Sequence, residues 1–74
     1  MHKKEIGFIM KQYIEKMVNE KKDLEGKIAK DEKLLATDPY DLDETGKHLL
    51  EKQVQAMKVY LDVLEQRILY EGGK

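Results

Sequence analysis

The chain reads as all-α, a two-helix antiparallel hairpin that self-associates into an oligomeric helical bundle. Three observations predict this. A single proline, Pro39, divides the 74 residues near the middle. Apolar residues recur at helical spacing on both sides of it, with no competing β alternation. And the apolar positions cover more of each helix than one partner helix can hide.

The first helix is expected at about residues 3–36. Ile6, Met10, Tyr13, Ile14, Met17, Leu24, Ile28 and Leu35 fall on one broad stripe at 100° per residue. Ile9 widens that stripe, and Phe8 and Val18 lie off it. Lys21, Lys27 and Asp31 thin the pattern further along. The stretch from Ile6 to Val18 is therefore too apolar for a hairpin partner alone. Phe8, Ile9, Met10 and Val18 are candidates for a subunit contact; single exposed apolar residues are the plainer alternative.

The turn is expected at residues 37–41, because proline disfavours helix at the residue before it. The second helix is then expected at about 42–71. Asp41 is placed to cap it, with Glu44 in the capping-box position. Gly72 suits the left-handed position that often ends a helix. Each helix would be roughly 45–50 Å long at 1.5 Å per residue. Similar lengths and a short connection make neighbours antiparallel.

The second helix carries two heptad stripes. Leu50, Val54, Met57, Leu61, Leu64 and Ile68 form an apolar seam at alternating spacings of four and three. Leu49, Gln53, Ala56, Tyr60, Val63 and Arg67 repeat those spacings on the adjoining strip. The second strip mixes an amide, a phenol and a guanidinium with small or apolar residues. It points to a further surface: a subunit contact through Leu49, Ala56 and Val63, a ligand contact, or both.

Composition narrows the function classes. Charged residues are 39% of the chain, yet the net charge is −1, so the two signs interleave as on solvated helix faces. A duplex nucleic-acid partner is not expected, since such binders are clearly basic. With no cysteine, disulfides and thiolate metal sites are excluded. No apolar run reaches the ~18 residues of a membrane span, so no membrane partner is expected. One domain, residues 1–74, is the most this length supports. Below roughly 70–80 residues a lone core rarely supplies more than about 3–5 kcal/mol.

Each candidate site also has a plainer reading. Asp41-Leu42-Asp43-Glu44-Thr45-Gly46 opens like a calcium loop, but Leu49 and Lys52 occupy its ninth and twelfth positions. A capped helix start explains it better. His48 has no convergent ligands or nucleophile at helical spacing, so no metal or catalytic residue is assigned and no cofactor is expected. Lys4, Lys11, Lys22 and Lys33 share one edge of the first helix, a solvated flank or a phosphate contact. Tyr13 and Tyr60 are either core tyrosines or rings for stacking a base. Arg67 sits within a stripe that looks buried. A buried guanidinium must meet a carboxylate such as Glu71, reach water at an oligomer channel, or bind an anion.

Leu49-Leu50, Gln53, Ala56-Met57, Tyr60, Leu64-Glu65, Arg67 and Glu71 resemble the signature of small helical-hairpin proteins encoded by crAss-like phages and Firmicutes prophages. The resemblance covers nearly all of the second helix. A more distant similarity is to the hairpin domain of phage anti-CBASS and anti-Thoeris sponges, matched at Gln53, Met57 and Arg67. That resemblance implies a non-enzymatic, homo-oligomeric anti-defence protein that sequesters a cyclic nucleotide signal in the cytoplasm of an infected bacterium. Arg67 and Lys11 would meet phosphate, Tyr60 or Tyr13 would stack on a base, and Gln53 would read a base or ribose edge. The alternative is a small phage regulator that binds a host protein through the apolar surface near Phe8.

Overall fold

The computed structural model describes the backbone of residues 2–73 and the side chains of residues 10–73. Phe8 and Ile9, expected at a subunit contact, and Lys4 lie outside the described side chains. Helix α1 spans His2–Thr37 and helix α2 spans Glu44–Gly72. They pack along their length as a hairpin, with principal extents of 59 × 17 × 13 Å.

The apolar stripes meet as expected. Among the described residues, Met17, Leu24 and Ile28 of α1 and Val54 and Leu64 of α2 are buried. Leu24, Ile28 and Val54 form one cluster, flanked by the half-buried Leu35, Met57 and Leu61. Leu64 has no exposed surface at all. The second stripe of α2 takes no part in this core. Leu49, Gln53, Ala56, Tyr60, Val63 and Arg67 are all exposed.

The turn departs from expectation in its capping. Asp38 follows the first helix with a left-handed φ of 45°. Its N–H still donates to the Leu34 carbonyl at 2.8 Å. Its carboxylate accepts the Leu42 N–H at 2.9 Å and meets Lys47 Nζ at 3.2 Å. The backbone hydrogen bond from Leu42, aided by Lys47, holds the Asp38 carboxyl below its ordinary value of 3.8. The α2 cap is Asp43, whose Oδ1 accepts the Gly46 N–H at 2.7 Å. Asp41, the expected cap, is itself left-handed at φ 50°. That backbone is not the extended one of an N-cap, and helix begins only at Glu44. Since residues from Glu44 onward are helical, the calcium-like segment cannot wrap an ion. At the far end, Gly73 caps α2 with φ −84° and ψ −6°, so neither Gly72 nor Gly73 uses the left-handed conformation.

Candidate functional site

The exposed stripe of α2 faces one flank of α1. Among the described residues, three side-chain hydrogen bonds cross the hairpin here. Arg67 Nη2 donates to the Tyr13 hydroxyl. Tyr60 donates to Glu20 Oε1. Gln53 Nε2 donates to Asp31 Oδ2 at 3.1 Å. Gln53, Tyr60 and Arg67 stand seven residues apart on α2, so they form a row along its axis. As the α2 number rises, the α1 partner number falls, which is the antiparallel register expressed in side chains.

Each contact has a local cause. The Arg67 guanidinium lies 5.9 Å from the centroid of the Tyr13 ring, within reach of a cation–π attraction. Tyr13 and Tyr60 are 38% and 40% exposed, so ring edges stay open to solvent. Acceptance by Glu20 raises the Tyr60 hydroxyl above its ordinary value of 10.0, with partial burial acting the same way and Arg67 opposing. The phenol therefore remains neutral and donating at physiological pH.

One expectation is corrected. Arg67 is not buried in the hairpin. Its charge stays hydrated, so desolvation does not compel a carboxylate partner, and it meets a phenol. Lys11 does not join Arg67 within one hairpin. It lies about 160° around α1 from Tyr13 at 100° per residue, and Lys22 and Lys33 follow it on that far side. All three are exposed. Met10 and Val18, expected at a subunit contact, are half-buried; Leu49, Ala56 and Val63 are open.

Two shallow grooves lie on the opposite flank. One, of about 370 Å³, is lined by Glu32, Leu35, Glu51, Val54 and Lys58 among others. The other, of about 260 Å³, is lined by Val18, Lys21, Glu65, Ile68 and Leu69. The larger carries two carboxylates, and its lysine is already paired with Glu32 at 3.1 Å. That charge balance disfavours an anion. The smaller pairs an apolar floor with one charge of each sign. The flank of Arg67 has the better chemistry for a phosphate-bearing ligand, though one hairpin does not enclose it.

Glu20 and Asp31 are the members of this row that sequence reasoning missed. Asp31 had a signal: a carboxylate interrupting an apolar stripe needs a polar partner. Glu20 follows Tyr13 by one heptad, a spacing that marks it for the same edge. Among the described residues no group of acidic, histidine or cysteine side chains is gathered to hold a metal ion. Nor is any helix long and apolar enough to cross a membrane.

Fold and flank together define a small helical-hairpin protein with a row of polar side chains bridging its two helices on one side. The chain belongs to the Sequestin family, whose sequence model matches residues 11–70. The match spans both helices and includes Tyr13, Gln53, Tyr60 and Arg67. The family's name denotes sequestration. No curated protein and no solved structure matches the chain.

Proposed function

We propose that the protein is a phage-encoded anti-defence factor that oligomerises in the host cytoplasm and sequesters a nucleotide immune signal, a cyclic nucleotide above all. It acts by binding, without chemistry. The observation that carries this reading is the row of Arg67, Tyr60 and Gln53 on one flank of a chain whose family is named for sequestration.

The residue types fit the ligand class. Arg67 offers a planar fork of donors matched to phosphate oxygens. Its present partner is a single hydroxyl, a weaker acceptor than a phosphate anion. Tyr13 and Tyr60 present ring surface on which a base can stack, an interaction of about 1–3 kcal/mol per base. Gln53 and Asp31 supply an amide and a carboxylate for base or ribose edges.

The test is direct. Purified protein is heat-denatured and removed, and the released small molecules are searched by mass spectrometry for phosphorylated species. In parallel, thermal shift is measured against a panel of cyclic di- and trinucleotides. Ligand at a hundredfold excess over Kd would add about 2.7 kcal/mol of stability. Arg67→Ala should weaken that binding about 10–100-fold, the loss of a hydrogen-bonded charge. No released ligand, no shift across the panel and an Arg67→Ala variant with full anti-defence activity would refute the reading.

A further inference from the structure

Leu49, Ala56, Val63 and Tyr70 stand at seven-residue intervals on α2, all of them exposed. A seven-residue step drifts only about 20° around a helix, so the four form a nearly straight row. That row lies about 120° around α2 from the seam of Val54 and Leu64 that packs on α1. Val59 flanks it on one side, 66% exposed, and Tyr60 flanks it on the other. A straight apolar row on a helix whose other seam is already occupied has the form of a coiled-coil contact.

We propose that α2 pairs antiparallel with α2 of a second copy, about a two-fold axis beside Val59 and Tyr60. Arg67 of one copy and Gln53 of the other then line the same groove. The ligand-binding half of this inference rests on the proposed function; the pairing does not.

The row is self-complementary when reversed. Leu49 comes opposite Tyr70, and Ala56 comes opposite Val63, so each layer matches a smaller residue with a larger one. A parallel pair would instead set Ala56 against Ala56 and Tyr70 against Tyr70, leaving one layer void and crowding another. Small Ala56 beside Val63 lets the helices approach to the usual 8–10 Å. In a two-fold antiparallel pair, each edge of the seam meets the same edge of its partner. One edge sets Val59 against Val59 and Lys52 against Gln66. The other sets Tyr60 against Tyr60 and Arg67 against Gln53. No like charges oppose each other.

The second edge carries the chemistry. Within one chain Gln53 and Arg67 are about 21 Å apart along α2, too far to grip one nucleotide unit together. Across the two-fold they are neighbours. Gln53 is already bonded to Asp31, so the guanidinium of one copy approaches a carboxylate of the other, and the pairing has charge complementarity. The resulting groove is bipartite. Arg67 and Tyr13 from one copy offer a cation and a ring, and Gln53 and Asp31 from the other offer an amide and an acceptor. Such a groove takes a ligand with a phosphate at one end and N–H or hydroxyl donors at the other. Two equivalent grooves form per pair.

The chain lacks cysteine, which makes cross-linking clean. The proposed register places the two Val59 Cα atoms roughly 6 Å apart, within disulfide range. A Val59→Cys variant under mild oxidation should form covalent dimer at least tenfold faster than Leu69→Cys, which is 76% exposed on a different face. Leu49→Cys, about 30 Å from its own copy in this register, should also be slow. Equal rates, or fastest coupling at Leu49, would overturn the pairing. Mixing Arg67→Ala and Gln53→Ala chains tests the shared groove against the same cyclic nucleotide panel. Mixed pairs hold one intact groove, so about a quarter of wild-type sites should return on random pairing. No recovery on mixing, with wild-type binding intact, would overturn the shared groove. Cross-linking at Val59 without any nucleotide binding would confirm the pairing and count against the proposed function alone.

Discussion

Truncating Leu64 to alanine measures how much of this protein's stability its own hairpin supplies. Leu64 is the described side chain with 0% exposure. It sits between the level of the Tyr13–Arg67 contact and that of the Tyr60–Glu20 contact. Removing a buried leucine to alanine costs about 2–5 kcal/mol, the higher values where the cavity cannot collapse. A two-helix layer has open flanks, so neighbours can relax into the gap and the cost should fall near 2–3 kcal/mol. A lone chain of this size holds only about 3–5 kcal/mol in reserve. The loss should therefore lower the thermal midpoint by about 10–20 °C. Far-UV circular dichroism melts at low and high protein concentration provide the readout. If a second copy covers α2, the midpoint of both wild type and Leu64→Ala rises with concentration by mass action. A loss below about 1 kcal/mol would refute the reasoning, because Leu64 would then not be anchored in a packed layer.

Two further outcomes follow from the turn. Asp43→Ala leaves the Gly46 N–H without its cap and should cost about 1 kcal/mol, read by the same melts, with nucleotide binding at Arg67 unchanged. Asp38 has a folded-state pKa below its ordinary 3.8, so its contribution is present above that value and lost as pH falls through the lower folded value. The melting midpoint should drop through that acid range, and Asp38→Asn should remove this part of the drop.

The helices and the main seam were legible from spacing, and their antiparallel order from similar lengths and a short connection. Val54 and Leu64 answer Met17, Leu24 and Ile28 because apolar residues at helical intervals have nowhere else to leave water. Pro39 placed the turn for an equally local reason. The choice between Asp41 and Asp43 as cap was not legible. Both are aspartates, and backbone separates them: Asp41 is left-handed at φ 50°, whereas Asp43 is extended, as a helix N-cap must be. The row of Gln53, Tyr60 and Arg67 was visible as a row, but its environment was not.

The sequence by itself determined the angular position of every side chain around its own helix, and hence which residues share a strip. That follows from helix geometry and needs no partner. Only the tertiary structure decided where α1 lies relative to those strips. By packing on the Val54–Leu64 seam it left Arg67 hydrated, gave it Tyr13 rather than a carboxylate, and turned Lys11 to the far side. Contacts between strips depend on the relative rotation of two helices, and that rotation is set by the whole apolar surface at once.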